Sequence, residues 1–250
     1  DVALLTGNLY GLKQAGRTWW EEMDKTLQGL GFRRSAFDHS LYFKIDKDGI
    51  ALIGLYVDDL TLAFSNLDAL QSFKARISDV YKMKDLGELT HIVGLKVERD
   101  RARRQLWVGQ EHYVMDVLHK WGMSACSPNK VPIPPKLELP TLSADSPLRL
   151  PPSEVTLYQS LLGSLNYLSV MTRPDITYAV NYLSRFQAHP GSAHMSTLKG
   201  VLRYLRGAPG LRLGYGVREG EEAGAGLRAF ADAVWANDQT NRSTVSCYGF

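Results

Sequence analysis

The chain contains 250 residues, of which 44% are hydrophobic, 10% aromatic and 22% charged, a composition that is typical of folded proteins and excludes a mainly disordered chain. Its formal net charge of +3 neither demands nor excludes a nucleic-acid partner. No apolar run approaches about 18 residues, so we expect no membrane helix, and two cysteines are too few for a disulfide framework, which is consistent with a reducing compartment.

The first part of the chain predicts one helix and one β-hairpin. Apolar residues recur at helical spacing over residues 19–30, and Gly31 follows as a helix stop. Two β-rich runs, 41–44 and 50–57, flank residues 46–49, which end in an Asp-Gly step. Because this step is a strong signal for a hairpin turn, we expect the two runs to pair.

The second β-rich run leads into two acidic residues. Residues 50–57 do not alternate between apolar and polar side chains, so we expect a strand that is covered on both faces. The run ends at Asp58 and Asp59, and apolar residues resume over 60–64. This pattern predicts a second hairpin that carries two adjacent carboxylates at its turn.

The rest of the chain predicts helices, further strands and a proline-rich linker. Eight of the 11 prolines lie between residues 128 and 152, which indicates an extended linker because proline disrupts helix interiors and removes a ladder donor. The other predicted elements are a helix over 70–80 capped by Asn66, strands over 92–97 and 106–108, helices over 113–121, 158–168, 176–186 and 195–205, and strands over 211–215 and 227–235.

Asp58 and Asp59 are the strongest candidates for a chemical site. Two adjacent carboxylates repel one another unless a cation lies between them. Hard oxygen ligands on a hairpin suit Mg²⁺, which completes its shell with waters and phosphate oxygens, and two such ions can align an attacking hydroxyl with a leaving pyrophosphate. On the local pattern alone, a solvated Asp-Asp turn is the more ordinary interpretation, because acids are common in turns.

Two cations stand at the start of the first predicted helix. Lys13 and Arg17 lie one turn apart, where helix N–H groups have no intrahelical partner, so the pattern predicts an anion site. An ordinary solvated helix face explains the same two residues and is the more common case.

Taken in order, these segments resemble the reverse transcriptases of copia-type LTR-retrotransposon Pol polyproteins. The motif Gly-Leu-Lys-Gln-Ala at 11–15 stands before a tryptophan-containing helix, and Tyr-Val-Asp-Asp-Leu follows at 56–60. Further segments that resemble family motifs are 83–87, 161–168, 173–176, 183–186, 201–207, 230–236 and 242–244. Because the motifs occur in the family's order, the series is far more specific than any one of them.

The resemblance implies an α+β fold. It would consist of the C-terminal part of a right-hand polymerase palm, built from an antiparallel sheet with helices, then a helical thumb and connection, and the truncated α/β start of an RNase H-like domain. The implied division is an incomplete palm over 1–109 without the fingers and the first catalytic Asp strand, a thumb helix over 110–127, the proline-rich linker over 128–153, the thumb and connection over 154–209, and the first RNase H strands over 210–250.

The resemblance also implies roles for residues at the acidic turn. Asp58 and Asp59 match the catalytic, metal-binding pair of the family, with Asp58 as the better candidate for direct metal ligation. Tyr56 matches an aromatic residue close to the primer end and the incoming nucleotide. The spacing of Tyr56 alone also fits a tyrosine in a strand core.

Other implied roles fall near the two ends of the chain. Lys13 and Gln14, with Arg17 nearby, match the segment that lines the nucleotide and template site. Asp232 matches the first metal carboxylate of the family's RNase H domain. A single carboxylate cannot hold two Mg²⁺ ions, so we expect no RNase H activity from these residues.

Basic residues in two stretches predict contacts with a nucleic-acid backbone. Such contacts neutralise phosphates and make binding sensitive to salt. A solvated charged face is an equally good interpretation of each cluster alone. The residues are Lys96, Arg99, Arg101, Arg203 and Arg206.

The activity that the resemblance implies is template-directed DNA synthesis from dNTPs. The complete site would use two Mg²⁺ ions, with Mn²⁺ as a substitute, and the partners would be an RNA or DNA template-primer and the remainder of the Pol polyprotein, with no membrane. The family context implies cytoplasmic virus-like particles and a later nuclear phase.

Two other interpretations compete with an active polymerase segment. Both chain ends look cut from a longer chain, and the family's polymerase site needs a third Asp upstream of residue 9, which Asp1 is too close to supply. A decayed, non-catalytic fragment that at most binds nucleic acid fits this departure. An unrelated metal-dependent hydrolase fits Asp58 and Asp59 but explains neither 11–15 nor 173–176.

Overall fold

A computed structural model describes residues 11–216, and the backbone alone of two strands over 230–234 and 245–249. This part of the chain combines helices with antiparallel sheets, so the predicted α+β class is confirmed. None of the helices in it is both long and apolar enough to span a membrane. The chain divides into two compact units, residues 1–89 and residues 90–250.

The first unit is a four-stranded sheet with two helices, and it confirms the predicted helix and both hairpins. The strands pair antiparallel in the order β1-β2-β3-β4. Helix α2 is capped as expected, because the Asn66 side chain accepts hydrogen bonds from the backbone N–H groups of Asp68 and Ala69. The elements are α1 (Ala15–Gly29), β1 (Arg33–Arg34), β2 (Leu41–Asp46), β3 (Gly49–Tyr56), β4 (Asp59–Phe64) and α2 (Leu67–Val80).

Strand β3 corrects one prediction, because it is covered on one face only. Its buried residues alternate with exposed ones, and Ile50 and Leu52 are 52% and 40% exposed. The buried face packs against side chains of both helices in one core, which contains Met23, Leu27, Phe32, Tyr42, Ala51, Ile53, Leu55, Phe73 and Ile77. An uninterrupted apolar run therefore did not mean two covered faces, because composition does not show which neighbours cover a strand.

The second unit contains a sheet and a helical core. The sheet has the order β5-β6-β7-β8 and crosses the boundaries that were predicted at residues 109 and 210, because β8 pairs with β7 through Leu213–Val108 and Tyr215–Leu106. The elements are β5 (His91–Ile92), β6 (Leu95–Asp100), β7 (Gln105–Gly109), α3 (Glu111–Lys120), α4 (Pro152–Met171), α5 (Thr177–Ser184), α6 (Ser192–Gly207) and β8 (Leu213–Gly216).

The helices α3 to α6 share one apolar core, as their predicted spacing required. Leu118, Leu165, Leu183 and Leu202 are all fully buried in it, one from each helix. The proline-rich stretch before α4 contains no helix, and it lies against this core through partly buried side chains such as Ile133. The subdomain names implied for these segments remain predictions.

The predictions for the C-terminal part of the chain fall largely outside the described residues. Strands β9 (Phe230–Val234) and β10 (Val245–Gly249) pair antiparallel, with Asp232 opposite Cys247. The side chain of Asp232 lies outside the described part of the structure, so its role as an RNase H metal ligand remains a prediction.

Candidate active site

The acidic turn is a tight connection between β3 and β4. Tyr56 pairs with Asp59 across the ladder, which leaves Val57 and Asp58 as the two turn residues. Val57 has φ 55°, a left-handed conformation that costs about 1–2 kcal/mol for a residue with a Cβ. A β-branched residue in this region is a clear outlier, and such strain persists only when the surroundings impose it.

The two carboxylates at this turn are exposed and have no protein partner in the part of the chain that the structure describes. Tyr56 is 53% exposed on the uncovered face of β3, so the alternative of a core tyrosine is wrong. No cluster of three or more metal-binding side chains occurs among the described residues. Two adjacent free carboxylates nevertheless fit Mg²⁺, because this ion takes one or two protein carboxylates and keeps waters and phosphate oxygens.

A tryptophan from α1 holds the acidic turn. The indole Nε1–H of Trp19 donates a hydrogen bond of 2.7 Å to the carbonyl oxygen of Val57. The Trp19 ring also packs edge-on against Tyr81, with ring centroids 5.3 Å apart, and the Tyr81 and Thr26 hydroxyl oxygens are 2.7 Å apart. The turn is therefore connected to both helices of the first unit. Helical spacing indicated Trp19 only as a residue of the helix core and did not reveal this contact.

The predicted nucleotide-site residues lie at the start of the same helix. Lys13 and Gln14 are exposed, and Gln14 is the residue before the first turn of α1. Arg17 is exposed and pairs with Glu21 through an Nε to Oε1 distance of 2.8 Å. Because Trp19 contacts Val57, the structure brings the N-terminal part of α1 to the acidic turn. It assigns no ligand to these three residues.

The hairpin turn at the other end of β3 differs from the acidic turn in its local chemistry. Its left-handed position is Gly49, at φ 111°. The Asp46 carboxylate accepts a hydrogen bond from the Asp48 backbone N–H and pairs with Lys44 at 2.9 Å. The hydrogen bond from Lys44 lowers the pKa of Asp46. This turn is stabilised by nearby residues, and the Asp46 carboxylate already has two partners, the Asp48 N–H and Lys44.

The predicted backbone-binding residues do not form one cluster. Lys96 and Arg99 are separated by an odd number of positions on β6, so they project to opposite faces of the sheet. Lys96 and Arg212 both pair with Glu98. Arg101, in the turn after β6, is exposed and engaged in an interaction of its own.

Arg203 and Arg206 lie on one face of α6, as their spacing predicted. Their Nε–H groups donate to the carbonyl oxygens of Ser127 and Ser124, each at 2.7 Å. Both residues therefore fasten the segment 124–127 to the helix, and a role toward nucleic acid remains a prediction.

A buried ion pair in the second unit was also missed. Arg173 is 1% exposed and contacts both carboxylate oxygens of Asp175, at 2.9 and 2.7 Å. It also donates to the Ala208 carbonyl at 2.9 Å, and Tyr204 donates to Asp175 at 2.8 Å. The segment 173–176 had been used only as a family motif, because spacing does not show that α6 and the residue after it supply two of the partners.

These observations define a class of protein: an α+β domain with two exposed carboxylates at a hairpin turn, in a chain with ordered polymerase motifs. A family model described as "Reverse transcriptase (RNA-dependent DNA polymerase)" matches residues 1–135, more than half of the chain. The chain therefore belongs to the reverse transcriptase family, as the resemblance implied. No solved structure matches it.

The relatives of this chain include plant transposon polyproteins. It is 34% identical over 251 residues to a retrovirus-related Pol polyprotein from transposon TNT 1-94 of Nicotiana tabacum, a match that covers 100% of this chain and 18% of the relative. The corresponding polyprotein from transposon RE1 of Arabidopsis thaliana is 35% identical over 247 residues, with 99% and 16% covered. The chain thus spans less than a fifth of the length of these polyproteins.

A shorter relative matches over most of its own length. An uncharacterized mitochondrial protein of Arabidopsis thaliana is 34% identical over 192 residues, with 76% of this chain and 75% of that protein covered. Segments of this family therefore occur both within long polyproteins and as shorter proteins.

Proposed function

We propose that this chain is the central segment of a retrotransposon RNA-directed DNA polymerase, in which Asp58 and Asp59 bind the catalytic metal ions. The observation that carries the proposal is the pair of exposed carboxylates with no partner among the described residues, on a hairpin turn of a reverse transcriptase family chain. In this assignment residues 1–109 form the incomplete palm and helices α3 to α6 are thumb and connection. Strands β9 and β10 begin an RNase H domain, whereas β8 pairs with β7 in the sheet β5-β6-β7-β8.

In the proposed chemistry, residues of this chain bind the metal ions and support the primer end or the incoming base. Bound Mg²⁺ would activate the primer hydroxyl and stabilise the leaving pyrophosphate of a dNTP. Asp58 and Asp59 hold the ions, with Asp58 as the direct ligand. Tyr56 lies next to them on the exposed sheet face, where its ring can support the primer end or the incoming base.

The approach to this site is assigned to charged residues. Lys13 and Arg17, with Gln14 between them, face the nucleotide and template at the start of α1. Lys96, Arg99 and Arg101, together with Arg203 and Arg206 on α6, contact the backbone of an RNA or DNA template-primer. The remainder of the Pol polyprotein completes the site with its third Asp, and the complex works in cytoplasmic particles before a nuclear phase.

Primer extension tests the proposal in a Pol polyprotein that contains this segment. Asp58→Asn is expected to lower extension by at least about 100-fold, because it removes a ligand to the ions that supply several kcal/mol of transition-state stabilisation. Asp48→Asn is the matched control, since Asp48 is an exposed aspartate at the other hairpin turn of the same strand. Equal extension by both variants would overturn the metal-ligand assignment.

Metal binding by the 250-residue chain provides a test that is independent of turnover. Mn²⁺ is expected to broaden the backbone amide resonances of residues 56–60, and both Asp58→Asn and Asp59→Asn should reduce this broadening, whereas Asp48→Asn should not. If template-primer binds while extension and turn-specific broadening are both absent, the chain is a non-catalytic nucleic-acid-binding fragment instead.

A further inference from the structure

We propose that Trp19 is a positioning residue for the acidic turn: its indole N–H holds the Val57–Asp58 peptide in the orientation that presents the two carboxylates to metal. The inference rests on the proposed function of Asp58 and Asp59, and it adds a residue from a different element to that site.

The contact is specific to one peptide group. The Trp19 indole can only donate, and its donation goes to the carbonyl oxygen of Val57 at 2.7 Å. That carbonyl belongs to the peptide bond that leads into Asp58. Fixing this peptide plane restricts the directions in which the Asp58 side chain can leave the backbone.

The backbone at this turn needs an external partner. Val57 adopts φ 55°, which a β-branched residue rarely does. At the opposite turn of β3 the left-handed conformation is taken by Gly49, which has no Cβ and needs no support. Without the Trp19 bond, a rearrangement of the whole turn to a type with negative φ at Val57 would relieve this strain.

The indole is itself anchored independently of the hairpin. Its ring meets Tyr81 edge-on, with an interplanar angle of 72°, and Tyr81 shares a hydrogen bond with Thr26, about two turns further along α1. Tyr81 directly follows α2. Trp19 therefore connects the turn to side chains of both helices. The turn needs this support, because Val57 does not favour its left-handed conformation.

The test uses Trp19→Phe in the 250-residue chain, because phenylalanine keeps an aromatic ring against Tyr81 and removes the N–H donor together with part of the ring. Trp20→Phe is the matched control, because it makes the same reduction in ring size. The Trp20 ring lies under the Arg34 guanidinium, 5.0 Å from its ring centre, and among the described residues it makes no hydrogen bond to the turn. Amide hydrogen exchange and Mn²⁺ titration are measured for both variants and for the parent chain.

Trp19→Phe is expected to accelerate amide exchange at residues 57–59 and to weaken Mn²⁺ binding there, each by about tenfold, the loss that corresponds to one net hydrogen bond. Exchange in the flanking strands should not change, and Trp20→Phe should leave both quantities as in the parent. Unchanged exchange and unchanged Mn²⁺ affinity in Trp19→Phe would overturn the positioning role.

A polymerase assay separates positioning from general destabilisation. In a Pol polyprotein that contains this segment, Trp19→Phe should raise the Mg²⁺ concentration needed for half-maximal extension by about tenfold and leave the KM for dNTP unchanged. High Mg²⁺ should restore extension by Trp19→Phe but not by Asp58→Asn. If the parent chain shows no Mn²⁺ effect at the turn, the proposed function fails, while the exchange measurement still decides whether Trp19 orders the turn.

Discussion

Asp58 and Asp175 both lie in family motifs, yet the two carboxylates differ in their protein partners. Asp58 stands with Asp59 on an exposed turn, and no side chain of the described residues pairs with either. Asp175 accepts hydrogen bonds from the buried Arg173 guanidinium and one from Tyr204. Among the described residues, the Asp58 carboxylate therefore has no side-chain partner, whereas the Asp175 carboxylate has two.

The difference separates two uses of a motif carboxylate. A carboxylate that is already paired with arginine has little capacity left for a metal ion, whereas an unpaired one gains from binding it. Asp175 belongs to a network that joins the short turn at 174–176 to the end of α6 through Ala208. Motif membership therefore does not distinguish a chemical role from a structural role, but the presence or absence of protein partners does.

The largest expected effect is on stability, and it comes from removing the Asp175 carboxylate. Asp175→Ala should lower the free energy of unfolding by about 3 kcal/mol or more, because it leaves the buried Arg173 charge without a carboxylate to balance it. Asp58→Ala should leave the free energy of unfolding nearly unchanged, since it removes an exposed carboxylate that has no hydrogen bond or ion pair with the described residues. Urea denaturation followed by far-ultraviolet circular dichroism measures both. Similar losses for the two variants would erase the distinction.

A smaller effect comes from protonating the same carboxylate. Burial raises the pKa of Asp175, but hydrogen bonds from Arg173 and Tyr204 outweigh burial and bring the pKa below its ordinary value of 3.8. The stabilisation is therefore complete above that value and is lost as the pH falls through it toward the depressed pKa. A series of denaturation curves from neutral to strongly acidic pH should show a steeper acid loss for the parent chain than for Asp175→Asn.

Removing the Tyr204 hydroxyl, the third group of the Arg173–Asp175–Tyr204 network, should lower the unfolding free energy by a smaller amount. Tyr204→Phe deletes a hydrogen bond of 2.8 Å to Asp175 and keeps the ring beside Arg173, so we expect a loss of about 1 kcal/mol in unfolding free energy. Tyr178→Phe is a suitable control, because Tyr178 is 59% exposed. A Tyr204→Phe protein as stable as the control would show that Arg173 alone satisfies Asp175.

The smallest stability effect is expected at the acidic turn itself. Val57→Gly relieves the left-handed strain of about 1–2 kcal/mol. It also increases the conformational entropy of the unfolded chain, which costs a similar free energy, so the two contributions nearly cancel. Amide exchange at residues 57–59 should nevertheless become faster, because glycine permits other turn geometries. A large gain in stability with unchanged exchange would contradict this expectation, because it would mean that the contact with Trp19, rather than the residue at position 57, limits the geometry of this turn.

The elements of the fold were largely predictable because they depend on local patterns. Helical spacing located α1 and α2, an Asp-Gly step located the turn before β3, and Asn66 marked the start of α2. The covered face of β3 was not predictable, because an apolar side chain such as Leu52 has the same identity whether or not another element packs on it. The pairing of β8 with β7 joins positions about 100 residues apart, which no local pattern reports.

The sequence by itself determined the family and the candidate carboxylates, because ordered motifs and a strand-turn-strand pattern are properties of the chain alone. Only the tertiary structure decided which carboxylates are unpaired and what holds them. Trp19 and Val57 are 38 positions apart, and Arg173 finds Ala208 35 positions away. Such contacts depend on how helices pack against strands and against each other, and packing arises from the shapes of several elements together rather than from the residues near any one of them.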